Sequence, residues 1–303
     1  MNNILKILNV FILFISKWFG YCVAQQIPLP DTFVNPSFQV AHYLCFLDDQ
    51  VLYVSDTRQS GSVVRIFTSG HGLDGPWGMV SDGTFLYVAS FTTDRIHKYH
   101  LESGNFAGAF GSEDDSLDCP EGMAIGPNRT LFVASFLNDK ILKYSLDGNF
   151  LGVVADKSNG IKGPEDVALL SNGTLLVSSH YTNRILKINS TTNEFLGEFA
   201  KVERPVGITV GSDRNVYVTS YVTNSILRYS GKTGELIDVY ASGGGLSGPS
   251  SVSFADYRTL YAASYDSDRV VLYNSTSGLT FTLPGRVKEY DAEGTFMQGS
   301  QKH

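Results

Sequence analysis

The feature that most constrains this chain is an internal repeat. Laid against itself, the sequence returns at a period of about 44 residues to a proline and a short apolar stretch. The copies read "PWGMV" at 76, "PEGMA" at 120, "PEDVA" at 164, "PVGIT" at 205 and "PSSVS" at 249. A Gly-, Asn- and Asp-rich turn follows ("SDGT", "GPNRT", "SNGT", "SDRN"). Next comes a run of β-branched and aromatic residues with period two ("FLYVAS", "LFVASF", "LLVSSH", "VYVTSY", "LYAASY"). A second turn ends at Asp94, Asp139, Asn183, Asn224 or Asp268 and opens a third strand ("RIHKY", "KILKY", "RILKI", "SILRY", "RVVLY"). A last turn leads to a fourth ("NFAGAF", "NFLGVV", "EFLGEF", "ELIDVY"). Four antiparallel strands per repeat are the unit of a β-propeller blade. One such sheet cannot bury both of its faces alone, but packed against its neighbours around an axis it can. No long amphipathic helical pattern interrupts the repeats, which argues against an α/β fold.

The first copy, near 41, is partial. "YLCFLDDQVLYVSD" supplies two strands and "SVVRIFT" a third, and "SGHGLDG" follows with no visible fourth. At the other end "RVKEYDAEGTFMQG" (286–299) reads like strands three and four. The sequence therefore predicts an all-β, six-bladed β-propeller of four-stranded antiparallel blades over 41–299. Its repeats start near 41, 76, 120, 164, 205 and 249, with 286–299 closing the ring as the outermost strand of the N-terminal blade. A seven-bladed ring is the alternative. Residues 25–40 form a lead-in and 300–303 a tail.

Residues 1–24 read differently. "MNNILK" and the apolar run "ILNVFILFI" end in "CVA", which places Ala24 and Cys22 as at a signal-peptidase site. The run is shorter than the ~20 residues a spanning helix needs, so cleavage and export are expected rather than a membrane span. Loss of Lys6 and Lys17 with the leader takes the 23 basic residues to 21 against 30 acidic ones, a net charge of about −9. With no basic patch, nucleic acid and anionic lipid are poor partners. The expected location is extracellular. Cys45 and Cys119 would remain, and an oxidising compartment permits a disulfide between them; two free thiols are the alternative.

Propeller geometry sorts the loops. Strand one lines the axis, and the loop entering it shares one face, the top, with the turn between strands two and three. The glycosylation sequons at Asn128, Asn172, Asn189 and Asn274 all map to the opposite, bottom face. A glycan-bearing bottom leaves the top bare for binding. There the positions after the repeat proline read Trp77, Glu121, Glu165, Val206 and Ser250, with Tyr43 in the partial copy. The positions after the second-strand serine read Phe91, Phe136, His180, Tyr221 and Tyr265. The loop "GSEDDSLDCP" adds Asp114, Asp115 and Asp118. An acidic arc is thus expected to meet a ring of aromatics.

The units resemble NHL-type repeats and the secreted bacterial proteins built from similar "LYVAS…VLRY…TG" units, over roughly residues 41–283. The architecture is similar to that of gluconolactonase- and paraoxonase-type propellers. In those calcium-dependent lactonases the metal sits in the central tunnel on Glu, Asn and Asp of inner strands, often after a proline. The resemblance implies Glu121, Glu165 and Asp166 as ligands of a divalent cation such as calcium. Trp77, Val206, Ser250 and Tyr43 at the matching positions remove much of that ligand set. His180 could act as a general base near Glu165, as in lyases of this architecture, or could be an aromatic-sized packing residue, since its equivalents are Phe and Tyr. "GHGLDG" (70–75) opens no helix and "SGKTGE" (230–235) lacks the earlier phosphate-loop glycine, so neither reads as a nucleotide site. Two functions are carried forward. The first is a secreted binding protein that uses its top face on an extracellular protein or glycan. The alternative is a divalent-metal-dependent hydrolase or lyase at the tunnel mouth.

Overall fold

The computed structural model describes residues 71–254 continuously, and outside that stretch the strands and one short turn within 41–69 and 259–297. The leader, the lead-in 25–40 and the tail 300–303 lie outside the described residues. The first four strands are β1 (Ala41–Phe46), β2 (Leu52–Asp56), β3 (Ser62–Val63) and β4 (Thr68–Ser69). The next blade holds β5 (Pro76–Ser81), β6 (Phe85–Ser90), β7 (Arg95–His100) and β8 (Phe106–Phe110). It is followed by β9 (Pro120–Gly126), β10 (Thr130–Ser135), β11 (Lys140–Ser145) and β12 (Phe150–Ala155). Then come β13 (Pro164–Leu169), β14 (Thr174–Ser179), β15 (Arg184–Asn189) and β16 (Phe195–Lys201). The last two blades are β17 (Pro205–Val210), β18 (Val216–Ser220), β19 (Ser225–Tyr229), β20 (Leu236–Ser242), and β21 (Pro249–Phe254), β22 (Thr259–Ser264), β23 (Arg269–Asn274), β24 (Thr280–Leu283).

Each group of four pairs antiparallel in sequential order, so the protein is an all-β propeller of four-stranded blades. Five full blades run from Pro76 to Leu283 where the repeat count predicts six. The N-terminal copy is the β1–β4 sheet, whose third and fourth strands are two residues each. The expected closure by 286–299 is not the pairing observed. β25 (Glu289–Tyr290) and β26 (Phe296–Met297) pair with one another, and the fourth strand of the first sheet is Thr68–Ser69. That strand was missed because "TSGHG" has the composition of a turn and two residues show no period. A hairpin between 289 and 297 also closes a far shorter loop than pairing with the N-terminus would.

The core lies between blades. One cluster joins Phe132 and Ile141 of one blade to Val167, Leu175 and Val177 of the next, and another joins Tyr217 and Ile226 to Val252 and Leu260. Tyr87, Tyr99, Tyr144 and Phe132 are fully buried there, where their large rings fill the wedge between diverging sheets.

Two repeated devices set the top face. The residue before each inner-strand proline sits in the left-handed region, with φ of 59° at Gly75, 51° at Cys119, 58° at Gly163, 42° at Arg204 and 56° at Gly248. The N–H of four of these is accepted by the turn residue of the preceding blade. Asp94 Oδ1 takes Cys119 (2.7 Å), Asp139 Oδ1 takes Gly163 (2.7 Å), Asn183 Oδ1 takes Arg204 (2.8 Å) and Asn224 Oδ1 takes Gly248 (2.7 Å). The recurrent Asp/Asn is therefore an inter-blade clamp. Second, the N–H of the residue after each second-strand serine bonds back to the carbonyl of that same left-handed residue, as His180 does to Gly163 at 3.0 Å and Tyr221 to Arg204 at 3.1 Å. This bond carries the post-serine side chain to the post-proline side chain of its own blade.

Candidate functional site

These two devices converge on a cavity of about 260 Å³ at the top of the axis. Trp77, Glu165, Val206 and Ser250, four of the post-proline positions, line it together with the post-serine residues His180, Tyr221 and Tyr265. Arg204 completes the wall. Phe91 props Trp77 from behind, with ring centroids 5.1 Å apart. Phe136 lies aside against Tyr181 at 5.9 Å.

The polar floor is a chain across blades. Glu121 is 1% exposed and Glu165 7% exposed. Burial first, then the charge of Glu165 and a hydrogen bond to it, raise the Glu121 carboxyl well above the usual carboxylate range. Glu121 therefore holds its proton more tightly than an ordinary carboxyl, and its Oε2 is buried without a hydrogen-bond partner among the described residues. Glu165 Oε1 lies 3.0 Å from His180 Nδ1, but off the line a ring N–H would take. Proximity and charge hold that pair rather than an aligned hydrogen bond. On the other side of the ring, Arg204 Nε donates to His180 Nε2 at 2.9 Å. A guanidinium can only donate, so Nε2 must present its lone pair and the imidazole proton sits on Nδ1, toward Glu165. The guanidinium also lies over the Tyr221 ring, 5.5 Å from its centroid, and Tyr221 Oη donates to Asp266 Oδ1 at 2.8 Å. Burial, followed by Asp266, pushes the Tyr221 phenol up to about 12.

Asp166 is placed otherwise than a ligand requires. Its Oδ1 accepts from Val167 N (2.9 Å) and its Oδ2 from Ile208 N (3.0 Å) on the inner strand of the next blade. At this repeat position the neighbouring copies carry Gly78, Gly122 and Gly207, where a Cβ would collide with the adjoining inner strand. Asp166 fastens β13 to β17. Among the described residues Glu121, Glu165, Asp166 and His180 bring no three ligand atoms within 4.8 Å of one another; Asp94, Asp118 and Cys119 do so. A hard cation there would need further oxygens from other groups, six or more in all.

The acidic loop does not join the aromatic mouth. Residues 113–115 form a 3-10 turn, and Asp114 lines a separate depression with Thr93, Asp94, Arg95 and Ser112. Asp115 is half-buried away from the cavity lining. Asp118 sits by Asp94 and Cys119, whose thiol is pushed up to about 11 by burial and then by Asp118. Cys119 is a free thiol, so the expected pairing with Cys45 is not made; the Cys45 side chain lies outside the described residues. Asn128 and Asn172 are exposed in turns between strands one and two, and Asn189 is the half-buried last residue of β15. Asn274 ends β23, with its side chain outside the described residues.

Arg204 is the member of the site that sequence reasoning missed. Its signal was present: the residues before the five prolines read Gly75, Cys119, Gly163, Arg204 and Gly248, a glycine-type position that here carries a long cation.

No known family profile matches the chain, and no curated protein matches it. Solved structures do. Virginiamycin B lyase from Staphylococcus aureus is 16% identical, with a TM-score of 0.59 over 82% of this chain and 85% of that one. A putative gluconolactonase is 16% identical, with a TM-score of 0.64 over 82% and 92%. A chain of a nidogen/laminin complex is 18% identical, with a TM-score of 0.55 over 65% and 78%. At these identities the likeness is one of fold: a β-propeller with distant similarity to the gluconolactonase type.

Proposed function

We propose that this protein is a secreted binding protein that takes a glycan at the top mouth of a six-bladed, NHL-like propeller. The observation that carries this is Arg204 on His180 Nε2: the only lone pair of the ring is occupied, so the site is built to recognise rather than to abstract a proton. Around it, aromatic rings from three blades and a buried carboxylate bound a space the size of one sugar ring, whose apolar face packs on aromatics and whose hydroxyls suit carboxylates. The leader-like N-terminus and the four bottom-face sequons support export and a glycosylated rear face. The position of β1 beside both β5 and β21 supports ring closure by the N-terminal sheet as the sixth blade. One of the fold neighbours comes from a protein–protein complex, which keeps a protein ligand as an outcome of the test. The test is a titration of sugars and extracellular proteins with Trp77→Ala and Tyr265→Ala. Binding that survives both substitutions together would sink the reading.

A second reading is an acid–base lyase or hydrolase. It is favoured by the 3.0 Å Glu165–His180 pair and by the lyase and gluconolactonase fold neighbours. It requires Arg204 to leave His180 when substrate enters. Turnover of a lactone or cyclic ester that disappears in His180→Gln would establish it.

A further inference from the structure

We propose that the ligand is an acidic sugar, a pyranose bearing a carboxylate, and that Arg204 sets this specificity. The inference rests on the reading of the top cavity as a glycan site and names the ligand's chemistry. Three observations converge on it. First, Arg204 occupies a position where the Gly75, Gly163 and Gly248 copies use glycine, and it holds φ 42° there. A non-glycine residue in the left-handed region costs conformational energy, and such strain persists where the surroundings over-determine it, above all at ligand clamps. Asn183 Oδ1 on its N–H and Tyr221 under its guanidinium supply that determination.

Second, the guanidinium makes no ion pair among the described residues, whereas Arg129, Arg184 and Arg228 each lie against a carboxylate; Arg95 and Arg214 likewise have none, but neither lines the cavity. Its Nε is spent on His180, which fixes the plane of the fork. The outer terminal nitrogens are left at the cavity rim, and a planar fork held in place matches a carboxylate bidentately. Third, the carboxyl groups around the cavity are engaged with partners other than the guanidinium. Glu165 lies against the Nδ1 side of His180 and Asp266 accepts from Tyr221. The sugar ring then lies along Trp77 and Tyr265 with its carboxylate on Arg204.

The test compares methyl glucuronoside with methyl glucoside, which differ only in the oxidation state of C6, by NMR or calorimetric titration of the full chain. Glucose 6-phosphate serves as a second oxyanion. The glucuronoside should bind about tenfold tighter than the glucoside, the worth of one charge-assisted contact. Arg204→Gln and Arg204→Gly should remove that preference, so that the two glycosides bind alike. Arg204→Gly places the residue that three of the other four copies carry (Gly75, Gly163 and Gly248, with Cys119 in the fourth), so loss of folding does not cloud the result. Equal binding of the two glycosides, or a preference that survives in Arg204→Gly, overturns the inference and leaves the glycan site standing. Tighter binding of the phosphate than of the glucuronoside overturns the carboxylate assignment. No binding of any sugar overturns the inference and the proposed function together.

Discussion

Glu121 should make the protein's stability depend on pH in an unusual direction, and Glu121→Gln should reveal it. In the unfolded chain this carboxyl titrates near its ordinary 4.5; in the folded protein it is raised well above that by burial and by Glu165. Between those two points the native state holds a proton that the unfolded state has lost. Stability therefore falls with rising pH by about 1.4 kcal/mol per unit. His97 works the other way. It is 2% exposed, and burial lowers its pKa from 6.5 to about 4. Across pH 4.5–6.5 the unfolded state holds a proton that the native state lacks, and stability rises by a similar amount. Above pH 4.5, for as long as Glu121 keeps its proton in the folded protein, the two slopes oppose each other and flatten the wild-type curve. The lowered carboxyls of Asp82, Asp156 and Asp213 act only below about their ordinary 3.8 and do not intrude. Gln at 121 keeps the shape and a donor toward Glu165 and removes the titration. Its stability should climb from pH 4.5 to 6.5, by about 2 °C in melting temperature per pH unit for a chain of this size, and then level off. Thermal denaturation followed by circular dichroism at half-unit pH steps measures both curves. Parallel curves for the two proteins from pH 4.5 to 8 would refute the reasoning.

Asp166→Ala strips the acceptor from two buried backbone N–H groups and should cost about 2–4 kcal/mol in urea denaturation, with Asp166→Asn closer to wild type; an Ala variant as stable as wild type would show that the inter-blade fastening contributes nothing. Arg204→Gly should melt about 1–2 °C above Arg204→Ala, because both lose the guanidinium but only glycine escapes the left-handed strain of about 1 kcal/mol; the reverse order would mean the backbone there is unstrained. In a eukaryotic secretory host, glycans should appear on Asn128, Asn172, Asn189 and Asn274, and mass spectrometry finding all four bare would remove the division of faces.

The blade was legible because propeller strands write their period into the sequence. "LFVASF" and "KILKY" alternate as strands must, and the proline and the Asp/Asn mark their ends. What was not legible was closure. The two-residue strand Thr68–Ser69 has neither period nor apolar content, and the apparent strands within 286–299 pair locally as Glu289–Tyr290 and Phe296–Met297. Loop geometry around the mouth was partly readable. Counting positions from proline and serine places Trp77, Glu165, His180, Tyr221 and Tyr265 on one face, and the structure gathers them into one cavity. The acidic loop was misplaced because its carboxylates were adjacent in sequence to the mouth, while the turn at 113–115 directs Asp114 to a separate depression.

The departures from the repeat carry more information than the repeat itself, provided the role of each repeat position is known. The third inner-strand position needs a residue that tolerates the next blade's backbone, so glycine there means only close packing; Asp166 replaces it and turns a steric need into an inter-blade hydrogen bond. The post-proline position is free to vary because it faces the mouth, and two adjacent copies spend it on Glu121 and Glu165, one buried behind the other. The left-handed position wants glycine, and Arg204 holds it regardless. Only Asp166 has both side-chain oxygens taken up by backbone N–H groups, so it is fully explained by the fold. Among the described residues Glu121 keeps an unpartnered buried oxygen, and Arg204 keeps a left-handed backbone and no countercharge. Neither gains the fold anything that glycine or a neutral side chain would not supply at lower cost. That imbalance between structural cost and structural return favours the proposed site at the Glu165–His180–Arg204 end of the mouth over the acidic loop.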